Sequence, residues 1–126
     1  MVYAGQERRQ FIRVVLFIPV KYSVAEAKEE YTESQTEDIS SGGMRILLRG
    51  ELAVGTILKL QFELLREQRI VQFEGLQARA VWVIPNNNLE YPYKAGLEFI
   101  NIDIDERLRI SNCIYHRAEL LKKPFR

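Results

Sequence analysis

Leu58-Lys59-Leu60-Gln61-Phe62-Glu63-Leu64 alternates large apolar residues with polar ones at every step. Successive side chains of a strand point to opposite faces, so this run places leucine and phenylalanine on one side and lysine, glutamine and glutamate on the other. A helix cannot gather residues spaced two apart onto one face. The stretch is a strand with one buried side.

The same period recurs on both sides of it. Leu76-Gln77-Ala78-Arg79-Ala80 starts a second strand that runs through Val81-Trp82-Val83-Ile84 and stops at Pro85 and three asparagines. Residues 93–100 form another, with Leu97 and Phe99 on one face and Glu98 on the other. Earlier strands are predicted at 14–22, 31–37 and 44–48. Turn signals separate them at Ser41-Gly42-Gly43, Val54-Gly55-Thr56 and Asn86-Asn87-Asn88. The acid-rich stretch 26–38 also carries strand residues and reads as a solvated sheet edge. Six short strands with short connections predict a mainly β fold, a compact antiparallel barrel or sandwich.

One segment follows a different period. Residues 105–123 contain no glycine or proline, and Leu108, Ile114, Tyr115, Ala118 and Leu121 recur at helical spacing. Asp103 or Asp105 can cap the start, Lys122 and Lys123 suit the negative end, and Pro124 closes the run. The expectation is one amphipathic C-terminal helix packed on the barrel or on a partner, with Cys113 as a packing residue.

The 126 residues suffice for one domain, residues 1–126, with a modest core. A net charge of +1 gives no global basic field to gather nucleic acid or an anionic membrane, so any anion site must be a local cluster. The single cysteine allows neither an intrachain disulfide nor a cysteine-rich zinc site. Arg8-Arg9 followed by an apolar run has the look of a twin-arginine export signal. That run, 14–20, contains Pro19 and ends at Lys21, so a cytoplasmic location is expected instead.

Two short pieces carry the chemistry. Arg8-Arg9-Gln10-Phe11-Ile12-Arg13 sets three guanidinium groups within six residues before the first strand, and Asp38-Ile39-Ser40-Ser41-Gly42-Gly43 makes a polar turn between two strands. Neither is specific alone. Arg45-Ile46-Leu47-Leu48-Arg49 repeats the Arg-x-x-x-Arg spacing on a strand with no such role expected, and a side-chain-stabilised turn explains the second piece equally well.

Taken together, in this order and separation, they resemble the signature of the bacterial PilZ domain family. Arg9 and Arg13 match its Arg-x-x-x-Arg, and Asp38, Ser40 and Gly43 match its Asp/Asn-x-Ser-x-x-Gly. Ile18-Pro19-Val20-Lys21-Tyr22 and Gly96-Leu97-Glu98-Phe99 extend the likeness to nearly the whole chain. The resemblance implies a six-stranded antiparallel PilZ-type β-barrel over 14–100, an arm over 1–13 that binds ligand, and the C-terminal helix. It also implies a receptor for cyclic di-GMP that moves its arm on binding and signals to a downstream protein partner. Some family members instead act as adaptors between proteins without binding nucleotide.

The residue types suit that ligand. Arginine grips phosphate with a planar fork of donors, and the same fork matches guanine O6 and N7. Asp38 can accept from guanine N–H groups, Ser40 can donate or accept, and Gly43 can allow an unusual backbone angle or a close approach. Arg8 stands directly before the motif, where the family resemblance implies two intercalated cyclic di-GMP molecules per chain. Trp82 resembles a tryptophan bordering the site in some members and could stack on guanine. It also shares parity with Leu76, Ala78 and Ala80, so a place in the core is the other reading.

The rest of the chain offers no competing chemistry. His116 has no second histidine beside it, and Asn101-Ile102-Asp103-Ile104-Asp105 lacks the glycine and glutamate of a calcium loop. No nucleophile elbow, phosphate loop or metalloprotease motif is present, so neither catalytic nor metal-binding residues are expected. Binding of a nucleic-acid polymer on a barrel face is disfavoured by the near-zero charge and the lack of a basic stripe. The C-terminal helix is the candidate surface for a partner, a second copy of the chain included.

Overall fold

The computed structural model describes residues 13–24 and 30–122, with side chains described up to Tyr115. Its strands are β1 (Val14–Val15), β2 (Pro19–Val24), β3 (Thr32–Ile39), β4 (Gly43–Leu48), β5 (Ile57–Arg66), β6 (Arg69–Pro85) and β7 (Tyr93–Ile100), followed by helix α1 (Ile104–Lys122). All pair antiparallel in the order β1-β3-β2-β5-β6-β7-β4, and a β3–β4 pairing joins the ends into a barrel.

β1 and β2 are one interrupted strand lying along the same side of β3. Val14 and Val15 face Ile39 and Asp38, whereas Pro19 to Tyr22 face Gln35 to Thr32. Counted as one, they make the six-stranded barrel expected from the sequence. Thr36 closes the interruption. Its buried hydroxyl donates to the Leu16 carbonyl and accepts from the Ile18 N–H at 3.1 Å, so the break leaves neither group unsatisfied.

β3 is not the solvated edge that its acidic composition suggests. It bonds to β1 and β2 on one side and β4 on the other, and Ser34, Thr36 and Asp38 are buried. Closure of the barrel removes the edge and forces these polar residues to find partners. The Ser34 hydroxyl does so at the Leu47 carbonyl, 2.5 Å away.

β6 begins at Arg69, well before the predicted start at Leu76. Its first half forms a hairpin with β5, closed by the Arg66–Arg69 pair around Glu67 and Gln68, both left-handed at φ 55° and 75°. That is the turn whose twist suits a two-residue hairpin, made here without asparagine or glycine. Gly75, at φ 72°, absorbs a register shift opposite Leu60 and Gln61 and lets both Phe73 and Leu76 face the core.

Leu58, Leu60, Phe62 and Leu64 do point inward together, packed with Ile46, Leu48, Phe73, Ala78, Ala95 and Phe99. Each of the leucine, isoleucine and phenylalanine side chains contributes about 1.5–3 kcal/mol on burial. Phe62 and Phe73 stack with centroids 5.0 Å apart.

Helix α1 packs on β5 and β1 through Ile110, Ile114 and Cys113, all buried. Leu108 and Tyr115, expected on the apolar face, are on the outside, since they lie about 160° and about 140° from Ile110 at 100° per residue. The side chains of Ala118 and Leu121 lie outside the described residues. Asp103 caps the helix: its Oδ1 accepts from Glu106 N–H at 2.8 Å. Among the described residues no helix is long and apolar enough to cross a membrane.

Candidate functional site

A β-turn between β3 and β4 generates the site. Ser40 folds it: the hydroxyl accepts from the N–H groups of Gly42 and Gly43, each at 3.1 Å, and the Ser40 N–H donates to the Gly43 carbonyl at 2.8 Å. Ser40 thus holds the turn together from within and is itself buried. Gly43 is not there for an unusual backbone angle. Its φ is not left-handed; a Cβ there would lie 1.9 Å from the Leu97 carbonyl oxygen. The motif glycine lets β4 run against β7.

Strand pairing beyond the turn lays out a row of residues across the barrel wall. Asp38 on β3 faces Arg45 on β4, Arg45 faces Gly96 on β7, and Gly96 faces Trp82 on β6. Directly opposed residues in antiparallel strands point to the same face, so the row forms one platform. The Asp38 side chain is 1% exposed, and its Oδ2 accepts from Arg45 Nε at 2.6 Å. Arg13, just before β1, makes a looser ion pair with the same oxygen at 3.8 Å. Asp38 Oδ1 is buried and has no hydrogen-bond partner among the described residues.

Trp82 leaves the core because of a bulge. Ala80 pairs with Leu97 but Trp82 pairs with Gly96, so Val81 is an extra residue and the inward parity of Leu76, Ala78 and Ala80 ends there. Val83 takes up packing against the core instead. The indole lies over Gly96, where the missing side chain makes room.

An open depression of about 520 Å³ lies over this platform, lined by Arg13, Arg45, Trp82, Glu98 and, from α1, Arg107, with the Ser40–Gly43 turn at its side. Arg107 Nη1 donates to the Ser41 carbonyl at 2.9 Å and so ties the helix to the turn. Glu98 is offset by Arg79 at 3.9 Å. Three guanidinium groups outnumber two carboxylates, Asp38 beneath and Glu98 at the surface, and beside an indole face they suit an anion that carries an aromatic base.

Of the residues singled out in the sequence, Arg13, Asp38, Ser40, Gly43 and Trp82 meet here, while Arg8 and Arg9 lie outside the described residues. Arg45 was set aside as a strand arginine, yet it makes the shortest contact to Asp38. The signal was available: the two residues are equidistant from the Ser41-Gly42 turn, which makes them opposite partners in a hairpin. Arg107 gave no local signal, because only the packing of α1 brings it to the turn. Among the described residues no group of three or more histidine, cysteine or acidic side chains could hold a metal ion.

Among curated proteins none matches the chain. Among solved structures, the Bacillus subtilis inhibitor of motility MotI/DgrA superposes with a TM-score of 0.76 at 23% identity, over 98% of this chain and 59% of that one. Escherichia coli YcgR in complex with c-di-GMP gives 0.69 at 16% identity, over 91% and 48%. The PilZ domain of CeSA from a cellulose-synthesizing bacterium gives 0.58 at 16% identity, over 85% and 98%. The chain therefore spans about half the length of the first and second of these proteins and nearly all of the third. At such identities the likeness is one of fold. The sequence model of the PilZ domain, however, matches residues 7–116, both motifs included, and by that match the chain belongs to the PilZ domain family.

Proposed function

We propose that this chain is a cyclic di-GMP receptor whose ligand lies in the depression over Asp38, Arg45, Gly96 and Trp82. The observation that carries the reading is Asp38: a buried carboxylate between two arginines, with Oδ1 unpartnered among the described residues. An unsatisfied buried acceptor costs about 1–3 kcal/mol, and a guanine N–H would remove that cost. Arg13 is the cation suited to move, because its 3.8 Å contact is longer than a hydrogen bond. It can exchange Asp38 for a phosphate or for guanine O6 and N7.

Arg8 and Arg9 join Arg13 in this reading, and the extra cation of Arg8 supports two ligand molecules per chain. Neutralising the cluster draws the arm, residues 1–13, over the ligand and alters the surface shown to a downstream protein. The relative solved with c-di-GMP supports the ligand assignment.

Titration of cyclic di-GMP, GTP and short oligonucleotides against the wild type, Arg13→Ala and Asp38→Ala tests the reading. Binding of cyclic di-GMP alone, weakened at least tenfold in both variants, is expected, with saturation at two per chain. Saturation at one removes the stoichiometry only. A folded wild type that binds none of the three sinks the receptor and leaves a protein–protein adaptor.

A further inference from the structure

Asp38 cannot read a guanine edge unless its carboxylate is held still, and among the described motif residues only Arg13 reaches it, loosely at 3.8 Å. Carboxylate torsions are broad, so a buried aspartate with one free oxygen turns unless the other is fixed. The fixing contact here is Arg45. Its backbone is bonded to β3 on one side and β7 on the other, so it cannot drift, and its Nε donates to Asp38 Oδ2 at 2.6 Å. Arg13 is 3.8 Å from that oxygen and sits just before a two-residue strand. One contact is short and rigidly mounted; the other is long and lies outside the strand.

We propose that Arg45 is a positioning residue for guanine recognition: it locks Asp38 so that Oδ1, and the second lone pair of Oδ2, face the N–H groups of the base. This inference rests on the receptor reading above. On ligand entry Arg13 leaves the carboxylate and Arg45 stays. Arg45 offers only Nε to Asp38, so its terminal amino groups remain for the nucleotide in the depression it lines. Two guanine donors, N1–H and the 2-amino group, then meet two fixed acceptor oxygens. Without Arg45 the carboxylate loses its direction.

The two roles an arginine can play here separate on a base analogue. Cyclic di-IMP has the same ring and phosphates but lacks the 2-amino group. Affinities of both nucleotides are measured for the wild type, Arg45→Gln and Arg45→Lys, each checked for folding by circular dichroism. The wild type should prefer cyclic di-GMP by about tenfold, one hydrogen bond's worth. Arg45→Gln should bring that ratio near one, and Arg45→Lys, which keeps the charge without the fixed planar fork, should fall between. Should Arg45 act only as a charge, both affinities fall together in Arg45→Gln, the ratio is kept, and the inference is overturned while the receptor reading stands. If only one variant folds, its ratio alone decides, because either must drop below the wild type. A wild type that binds neither nucleotide overturns both readings.

Discussion

Trp82 covers Gly96 so closely that a Cβ there would lie 2.3 Å from the indole Cε2 and Nε1. The contact is between a side chain and an absent one, so a single methyl group tests it. Gly96→Ala must push the indole off the platform or open β6 from β7, and overpacking of this kind costs about 1–3 kcal/mol. Trp82 is the only tryptophan, so intrinsic fluorescence reports directly on the site. The expected result is a shifted emission maximum and a lower melting temperature. In Trp82→Ala the same glycine substitution should cost much less, a coupling that a double-mutant cycle reads.

Gly43 makes a harder contact. A Cβ would meet the Leu97 carbonyl oxygen at 1.9 Å and Glu98 Cα at 3.2 Å, both backbone and both held in the β4–β7 ladder. No rotamer can relieve it. Gly43→Ala should therefore exceed the about 1–3 kcal/mol of ordinary overpacking, whereas Gly50→Ala, with nothing within 4 Å, should stay within about 0.5 kcal/mol. Chemical denaturation of the two variants, side by side, checks the difference.

The β5–β6 hairpin can be improved. Gln68 sits at φ 75°, a region that costs a residue with a Cβ about 1–2 kcal/mol. Glycine's greater freedom in the unfolded chain offsets about 0.5–1 kcal/mol of the gain. Gln68→Gly should raise stability by a few tenths to about 1 kcal/mol, seen as a higher denaturation midpoint.

That hairpin also shows what the sequence concealed. Period-two alternation was enough for the core of β5 and for β7, because there one face is buried without a break. It failed at 69–75, where the turn is Glu67-Gln68 and carries none of the usual asparagine or glycine. It failed again at Trp82, where a one-residue bulge reverses parity and no local residue marks it. The motif residues were legible as a set, but their mechanics were not: Ser40 bonds inward to its own turn, and Gly43 yields space to β7. Arg45 was given no role because a spacing pattern ranks arginines by neighbours in sequence, and its partner lies across a hairpin.

Two buried groups set an alkaline limit on stability. Burial pushes the Cys113 thiol above its ordinary 9.0, against the opposing charges of Arg66 and Arg109. Burial also raises Tyr22 above 10.0, against the hydrogen bond and charge of Arg49. Both groups hold their protons more tightly when folded, so the unfolded chain releases them first as pH rises. Stability from these groups is fully present below the unfolded values and declines above them. Denaturation curves should be level from neutral pH to about 8.5 and fall beyond it, and Cys113→Ala should remove the earlier part of that fall. A slope unchanged by Cys113→Ala would rule the thiol out as its source.

Ser40→Ala separates two roles that a binding assay confuses. If the hydroxyl only touches ligand, its removal leaves the free protein as it was and moves the dissociation constant alone. The geometry says otherwise, since Ser40 Oγ accepts from both Gly42 and Gly43 N–H groups before any ligand is present. Losing that acceptor strands two donors, one of them buried, at about 1–3 kcal/mol. Amide hydrogen exchange at Gly42 and Gly43 should then quicken in the ligand-free variant, together with a lower melting temperature. Ser40→Thr keeps the oxygen and should restore most of both. Unchanged exchange in ligand-free Ser40→Ala would return the serine to the ligand and leave the turn to hold itself through the Ser40 N–H and the Gly43 carbonyl.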